Sequence, residues 1–502
     1  MKRPNVLLIT SDQQHWNTIG AFNNEIVTPN LDRLAKEGTV FNRAYCPNPT
    51  CTPTRASIIT GKYPSQHGAW SLGTKLPEEE NTIGDELLKA GYSTCLIGKA
   101  HFQPLASTPE YESLESYPIL HDFDFWRSFN SKFYGFKHCE LARNHTSEAH
   151  VGQHYALWME EKGLLNWRDY FVAPTGTLPD DTRYKWDIPE EFHYNTWIAE
   201  RTNVMLEKYK KDDENFFLWA SFFDPHPPYL VPEPWDTMYN PDKLTVPRLV
   251  EDEHEDSPEP IRLTQEEDPD FSKYVETGYE IIGYRSHVRG EGSRKKNMAT
   301  YYAMISLMDK YIGVILDKLD ELGLAEDTII VFTTDHGHLF GQHGLIDKGS
   351  FHYEDLLKIP FIVRYPGKVP AGRTCAAMQS LVDLTPTLLD MVGLTIPCEM
   401  TGINQQEVWL GKKEKVRDHI ICEDHQEPTK VNVRTFVDER YKITVYNGQT
   451  FGQLFDLQED PGETDNLWNK PQYRDLKEEM LFKYIWAELY KEPMWMPKIK
   501  HA

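Results

Sequence analysis

The chain has 502 residues, of which 40% are hydrophobic and 26% charged, a composition typical of globular proteins that excludes a wholly disordered chain. Its 53 basic and 77 acidic residues give a formal net charge of −24, which argues against a broad surface for nucleic acids or anionic membranes. A local cluster of basic residues is still able to bind a small anion. The seven cysteines are few, odd in number and scattered, which indicates reduced thiols rather than a disulfide framework.

The amino terminus, MKRPNVLLITSDQQHW, combines basic residues with a short apolar run. The apolar segment 6–9 is too short for the core of a secretion signal, so we interpret it as the first strand. No run of about 18 apolar residues occurs in the sequence, which predicts no transmembrane helix. These features predict a cytoplasmic, bacterial protein without a membrane partner.

Predicted strands and helices alternate along the chain. Apolar, β-branched segments predict strands at 4–10, 39–45, 93–97, 215–223, 327–337 and 359–367. Helical periodicity and end signals predict helices at 28–38, 82–91 and 300–323, the second opened by a capping box of Thr82 and Asp85. The alternation predicts an α/β fold, a mostly parallel sheet with helices on both faces.

Two stretches interrupt this pattern, and the character of the chain changes near its end. Residues 103–195 and 231–295 show little periodicity, and we interpret them as insertions whose loops shape a pocket. Beyond about residue 415, short antiparallel strands are followed by a helix at roughly 471–490. We predict a catalytic α/β domain at 1–414 and a C-terminal α+β subdomain at 415–502.

Titratable or metal-binding side chains follow the carboxyl ends of four predicted strands. In open α/β sheets, ligands bind at this edge. The residues in question are Asp12, Gln13, Lys99, His101, Asp224, His226, Asp335 and His336. Asp12 with Gln13, and Asp335 with His336, offer oxygen donors and one imidazole, which suits Ca²⁺, Mg²⁺ or Mn²⁺. The alternative for each pair alone is a helix cap.

Cys51 opens the stretch CTPTR at the start of a predicted helix. A cysteine there has a lowered pKa and is a candidate thiolate nucleophile, with His101 or His226 as its base. The alternative is a buried small hydrophobic residue. Neither interpretation explains Pro53, which pre-sets the first turn, or Arg55, which projects from the same helix face. Together these residues indicate an anion site.

The stretch CTPTRASIITGKYP resembles the signature of type I sulfatases, whose Cys-x-Pro-x-Arg cysteine is converted to formylglycine. Other motifs agree in order: NVLLITSDQ, TPNLDRLAKEGTVFNRAYC, GKAHF, DPHPPY, VFTTDHG, HGLIDKGSFHYE and LFDLQEDPGETDNL. The resemblance covers nearly the whole chain apart from the two insertions. It implies the alkaline-phosphatase-like fold with a smaller C-terminal subdomain, and a formylglycine-generating maturase as a partner.

The resemblance also implies a nucleophile and a metal site. Cys51, as formylglycine hydrate, supplies the attacking oxygen next to one divalent metal. The implied metal-site residues are Asp12, Gln13, Cys51, Asp335 and His336. Many family members have Asp where Gln13 stands and Asn where His336 stands. The combination here is similar to the branch of phosphonate monoester hydrolases and choline-sulfatase-like enzymes. By ligand hardness Ca²⁺ is our first expectation, and the imidazole of His336 makes Mn²⁺ the alternative.

The resemblance also implies roles for five further residues. Arg55 and Lys99 orient and stabilise the hydrate. His226 and Lys348 bind the sulfate oxygens and protonate the leaving alcohol. His101 removes the proton from the second hydroxyl, which expels sulfate and regenerates the aldehyde. A ring of fixed cations and a metal stabilises the negative charge of such a transition state.

The sequence therefore predicts a sulfatase that acts on a small sulfated substrate. The acidic surface argues against a long sulfated polymer, which favours a small saccharide, such as a disaccharide from glycosaminoglycan breakdown, or an aryl sulfate. Candidate stacking residues, each with core packing as its alternative, are Trp16, Trp70, Tyr229 and Tyr353. Two other functions stay open: a formylglycine-dependent phosphonate or phosphodiester hydrolase, and a non-catalytic sugar-binding protein.

Overall fold

The computed structural model describes residues 3–143, 150–171, 185–274, 290–427, 431–493 and 499–500. Its strands are β1 (Asn5–Ser11), β2 (Thr39–Phe41), β3 (Ala44–Tyr45), β4 (Ser93–Gly98), β5 (His138–Leu141), β6 (Phe216–Ser221), β7 (Thr328–Thr334), β8 (Leu339–Phe340), β9 (Ile346–Asp347), β10 (Lys358–Ile359), β11 (Phe361–Arg364), β12 (Arg373–Cys375), β13 (Gln379–Ser380), β14 (Ile420–Glu427), β15 (Val431–Val437), β16 (Tyr441–Tyr446) and β17 (Gly452–Asp456). Its helices are α1 (Pro29–Glu37), α2 (Cys51–Thr60), α3 (Pro64–His67), α4 (Ile83–Lys89), α5 (Phe123–Ser128), α6 (Gln153–Glu161), α7 (Tyr194–Asp212), α8 (Glu259–Leu263), α9 (Glu291–Glu321), α10 (Glu354–Leu357), α11 (Leu384–Met391), α12 (Gln406–Trp409) and α13 (Arg474–Tyr490).

An eight-stranded sheet with the order β12-β2-β11-β7-β1-β6-β4-β5 forms the centre of the molecule. All of its neighbouring pairs are parallel except the two pairs made by β11. Alternate residues of β1 serve the two faces: Leu7 and Ile9 pack with helices α1, α6, α7 and α9, whereas Val6 and Leu8 pack with α2, α4 and α11. The predicted α/β class, with helices on both faces, is confirmed.

The register of the central strands brings four strand ends together. Thr10 of β1 lies opposite Ser221 of β6, which in turn lies opposite Gly98 of β4, while Ser11 pairs with Thr334 of β7. The four strands are neighbours in the order β7-β1-β6-β4. Because they are parallel, the polar residues that follow them emerge at one edge of the sheet, as the sequence predicted.

Three predicted elements differ from the observed ones. The strand predicted at 39–45 is two short strands, since β2 joins the central sheet and β3 pairs with β10 and β13. Helix α9 begins at Glu291, before the predicted start at residue 300. The prediction missed its first turns because they are polar and lack the apolar periodicity on which the prediction depended. The segment predicted as one strand at 359–367 is divided between β10 and the antiparallel β11.

The stretch 103–195 is more than loops. It contains β5, an edge strand of the central sheet, and helix α6, whose apolar residues lie in the core. The predicted insertions also include residues 144–149, 172–184 and 275–289, which lie outside the described residues.

A smaller α+β subdomain follows the large sheet, as predicted. Strands β14, β15, β16 and β17 form an antiparallel sheet in that order, and Met480 and Ala487 of helix α13 pack against its apolar residues. The boundary at residue 414 stays a prediction.

Within the described ranges, every helix is too short or too polar to cross a membrane. The seven cysteines, all in those ranges, are free thiols.

Candidate active site

Cys51 is the first residue of helix α2, and the turn before it fixes its position. The Asn48 side-chain oxygen accepts hydrogen bonds from the backbone N–H and hydroxyl of Thr50, at 2.7 and 2.6 Å. The hydroxyl of Thr54 donates to the Asn48 carbonyl at 2.6 Å. Pro53 stands in the first turn, where its missing N–H costs no helical hydrogen bond. The whole helix is buried, so Cys51 is held at the sheet edge with little freedom.

Four side chains converge into a potential metal site. The donor atoms of Asp12, Cys51, Asp335 and His336 all lie within 4.8 Å of one another, and all four residues are buried. The Cys51 Sγ is 3.6 Å from Asp12 Oδ1 and 3.2 Å from His336 Nε2. This sulfur marks the place that a formylglycine oxygen would take. Two carboxylates, an imidazole and an oxygen at position 51 suit a divalent cation that prefers oxygen ligands.

Gln13 contacts this cluster through its backbone. Its backbone has φ of 63°, a left-handed conformation uncommon outside glycine. Its N–H donates to Asp335 Oδ1 at 2.9 Å, and its side-chain nitrogen lies 3.0 Å from His338 Nδ1. Its side-chain oxygen is buried and accepts no hydrogen bond from the described residues. A buried acceptor without a partner is costly, so this oxygen fits a ligand atom for a cation.

Two lysines face the Cys51 thiol. Lys348 Nζ is 3.1 Å from Sγ and Lys99 Nζ is 3.7 Å from it. Lys99 is also ion-paired with Asp12, and Lys348 Nζ is 3.2 Å from His226 Nε2. Burial raises the pKa of the Cys51 thiol, but Lys348, Lys99, His336 and His101 together outweigh burial and hold it well below the ordinary value. The site therefore stabilises a negative charge at residue 51.

Arg55 contacts the metal cluster through Asp335. Its Nε donates to Asp335 Oδ2 at 2.8 Å, and its Nη1 donates to the Lys99 carbonyl at 2.9 Å and to Ser221 Oγ at 2.8 Å. The side chain is fully buried, and Nη2 has no hydrogen-bond partner among the described residues. The hydrogen bonds of the described residues connect Arg55 to Asp335 rather than to the Cys51 sulfur. Arg55 therefore fixes one carboxylate and ties the ends of β4 and β6 together.

The His101 side chain also acts on the Cys51 thiol through a hydrogen bond. Its backbone has φ of 60°, and its N–H donates to Glu115 Oε1 at 2.8 Å. Burial, with the nearby charges of Arg143 and Lys99, lowers the pKa of His101 well below its usual value. The imidazole is therefore neutral at physiological pH, as a proton acceptor must be.

Every predicted site residue lies at this edge. The site also contains residues that sequence reasoning missed, namely Asn48, Glu115, Arg143 and Ser221. Glu115 and Arg143 lie in the aperiodic stretch 103–195, where the short strand HCEL was the only available signal. Ser221 acts through a tertiary hydrogen bond from Arg55 that no local pattern reveals, whereas Asn48 acts through local hydrogen bonds with Thr50 and Thr54.

The four candidate stacking aromatics differ in their surroundings. Tyr353 is buried and stacks on His343 with ring centroids 3.7 Å apart, and Tyr229 is buried with its hydroxyl 3.1 Å from His338 Nε2. Their surroundings favour core packing. Trp70 instead lines a cavity of about 450 Å³ with its ring 4.7 Å from that of His425. Trp16 lines a second cavity of about 690 Å³.

Comparisons with known proteins agree with this geometry. A family model described as Sulfatase matches residues 4–394, and one described as N-sulphoglucosamine sulphohydrolase, C-terminal, matches residues 341–488. An arylsulfatase of Clostridium perfringens is 30% identical over 485 residues, covering 94% of this chain and 92% of that protein. An N-acetylglucosamine-6-O-sulfatase of Bacteroides thetaiotaomicron is 25% identical over 521 residues, covering 96% and 85%.

The fold is also found among solved structures. A phosphonate monoester hydrolase from Silicibacter pomeroyi superimposes with a TM-score of 0.80 at 22% identity, covering 99% of this chain and 98% of that one. The chain therefore belongs to the type I sulfatase family of the alkaline phosphatase superfamily, and it is a sulfuric ester hydrolase.

Proposed function

We propose that the protein hydrolyses the sulfate ester of a small saccharide or an aryl alcohol, with residue 51 in its formylglycine form as the nucleophile. The observation that carries this proposal is the convergence on one buried atom, Cys51 Sγ, of two lysines, a carboxylate and an imidazole within 3.7 Å. A fixed ring of cations around a nucleophile is suited to the charge of a sulfuryl-transfer transition state.

The metal site fits a divalent cation. We propose that Asp12, Gln13, Asp335 and His336 hold the ion together with residue 51, with Ca²⁺ as the first choice and Mn²⁺ as the alternative. When present, the metal stabilises negative charge on oxygen, and the two hydroxyls of a formylglycine hydrate offer a nucleophile and an internal route for expelling sulfate.

The protein side chains then have separate tasks. Lys99 and Lys348 hold the negative charge that develops at residue 51, because their ammonium groups already contact its side chain. His226 and Lys348, 3.2 Å apart, bind the sulfate oxygens and deliver a proton to the departing alcohol. His101, whose imidazole is neutral, accepts the proton that must leave residue 51 before sulfate is expelled. Arg55 positions Asp335.

One relative, the position of Trp70 and the net charge of the chain favour a small saccharide as the substrate. The Bacteroides thetaiotaomicron relative is described as an N-acetylglucosamine-6-O-sulfatase. Trp70 lines a cavity and offers the kind of amphipathic ring on which sugars stack. The net charge of −24 opposes long polyanionic chains. A preference for intact heparin or chondroitin over their disaccharides would contradict this part of the proposal.

The deciding experiment uses protein co-expressed with a formylglycine-generating enzyme. The mass of the tryptic peptide that contains residue 51 should show conversion of the thiol to an aldehyde, and the same sample should hydrolyse 4-nitrophenyl sulfate. The Cys51→Ala variant is the matched control and should lose this activity. Full activity with unconverted Cys51 would refute the mechanism.

The same samples distinguish the alternative hydrolase. We expect kcat/KM for 4-nitrophenyl sulfate to exceed that for an aryl phosphonate monoester. A fully converted enzyme that cleaves the phosphonate and ignores sulfate esters would replace the proposed reaction with phosphonate ester hydrolysis.

A further inference from the structure

Arg143 follows strand β5 at the same sheet edge as the catalytic candidates. Strand β5 is the parallel neighbour of β4, with Leu141 opposite Gly98, and the Ala142 N–H donates to the Gly98 carbonyl at 3.1 Å. Arg143 is the next residue along, beside the segment that carries Lys99 and His101. A fifth strand end therefore contributes a cation to the edge.

The guanidinium of Arg143 is buried and forms no ion pair with the described residues. The residue is only 4% exposed, its Nε has no hydrogen-bond partner, and no ion pair or hydrogen bond within the described ranges involves its side chain. The acidic group that acts on it most strongly, Glu115, already accepts hydrogen bonds from the N–H groups of His101 and Gln103, at 2.8 Å each. Buried arginines are normally paired, because an unpaired buried charge is costly. Such a cation is therefore available to an anionic ligand.

The position of Arg143 excludes it from the ring of groups that contact residue 51. Strand β5 is three positions from β1 in the sheet, and no hydrogen bond of the described residues joins the Arg143 side chain to Cys51 or Asp12. Lys99 and Lys348 lie within hydrogen-bonding distance of Cys51, whereas Arg143 acts on Cys51 and Asp12 only through its charge. The scissile sulfate belongs to the inner ring, so Arg143 is left for a group farther along the substrate.

We propose that Arg143 binds a second anionic group on the leaving alcohol, either a carboxylate or a further sulfate or sulfamate. This inference rests on the proposed function and narrows its substrate class to sulfated compounds that carry at least one more negative charge. The planar guanidinium binds carboxylates and sulfate-like groups through two parallel hydrogen bonds, which a lysine cannot reproduce. Arg143 is thus a specificity-determining residue.

The test compares matched pairs of probes with formylglycine-containing enzyme. One pair is N-acetylglucosamine 6-O-sulfate and glucosamine 2-N,6-O-disulfate, and the other is 4-nitrophenyl sulfate and its 2-carboxy derivative. We expect Arg143→Gln to lower kcat/KM by about 10- to 100-fold for the doubly anionic member of one pair, and by less than about 2-fold for its singly anionic member. The pair that responds identifies the second group as a sulfamate or a carboxylate. Arg143→Lys should restore part of the loss.

Arg127→Gln is the matched control, since Arg127 lies in the same stretch, is exposed and pairs with Asp124. Arg127→Gln should leave kcat/KM unchanged for all four probes. Equal losses on both members of each pair, or no loss on any probe, would overturn the proposal.

A binding measurement separates this inference from the proposed reaction. In the catalytically inert Cys51→Ala background, calorimetry should show weaker binding of the doubly anionic probe when Arg143 is also changed to Gln, and unchanged binding when Arg127 is changed instead. If Cys51→Ala protein binds the probe equally well with and without Arg143, the inference is wrong even where sulfatase activity is present. If the converted enzyme lacks sulfatase activity while this difference is observed, the proposed function fails and the anion site stands.

Discussion

Replacing His101 separates the two halves of the proposed reaction. His226 and Lys348 are the pair assigned to the leaving alcohol, whereas the His101 side chain hydrogen-bonds to residue 51 itself, so we expect His101 to serve only the step that expels sulfate. Its backbone φ of 60° dictates the replacement, because Asn is the residue that best tolerates this conformation outside glycine. His101→Asn therefore removes the base while preserving the turn.

The size of the effect follows from the ionisation of this imidazole. Burial together with Arg143 and Lys99 lowers the pKa of His101, so the neutral base is fully present at pH 7 and is lost only when the pH falls well below 6.5. Removing a general base that is fully available costs about 10²- to 10⁴-fold in rate. We expect kcat to fall by this factor, while the first release of alcohol keeps its rate.

Pre-steady-state hydrolysis of 4-nitrophenyl sulfate by the formylglycine-containing variant measures both steps. We expect a burst of about one nitrophenolate per active enzyme, followed by slow turnover, with the sulfo group retained on the peptide that contains residue 51. The wild-type enzyme should show no such retention. If His101→Asn slows the first release as much as the turnover, or turns over at the wild-type rate, the role assigned to His101 is wrong.

Three other changes test the construction of the site and its surroundings. Gly98 has φ of 106°, and an added Cβ would lie 1.9 Å from a carbonyl oxygen of β6, so Gly98→Ala should lower the free energy of unfolding by more than about 2 kcal/mol in urea titrations. Gln13→Leu should weaken Ca²⁺ and Mn²⁺ binding by about 10-fold or more in calorimetric titrations of unconverted protein, and unchanged affinity would exclude its amide from the metal site. Burial raises the pKa of Glu140, but hydrogen bonds from His138 and Arg201 outweigh burial and hold this pKa at about 2. The ionised carboxylate therefore stabilises the fold above about pH 4.5, and this contribution is lost as the pH falls toward 2. Glu140→Gln should therefore cost about 3 kcal/mol at pH 7 in urea unfolding, and the difference from wild type should shrink below pH 4.5.

The four strand ends were predictable because each feature is local. Apolar runs of β-branched residues predict strands, and Asp12 or Asp335 immediately after such a run must emerge at the carboxyl edge once the sheet is parallel. The capping box of Thr82 and Asp85 was likewise readable from two residues, and both of its hydrogen bonds are present. Sequence reasoning succeeds where a single element determines the outcome.

Other parts of the site depend on contacts between distant segments. Lys348 lies in the segment between β9 and α10, and neither its spacing nor its neighbours indicate that its ammonium group reaches Cys51 and His226; only the family resemblance suggested this. Strand β5 has four residues and a mixed composition, so its place in the sheet is determined by pairing with β4. Arg143 was missed for the same reason.

The acidic surface and the cationic site act over different distances. At physiological ionic strength, charges on the surface are screened beyond about 8 Å, so the net charge of −24 weakly opposes a small sulfate ester that approaches the edge of the sheet. A long sulfated polymer keeps many charges within that distance of the acidic surface and is opposed along its whole length. Inside the site, Lys99 and Lys348 act on residue 51 across 3.7 and 3.1 Å in a buried environment, where screening is weak. The same chain can therefore repel polyanions and bind a small anion, which is the combination that a sulfatase for small substrates requires.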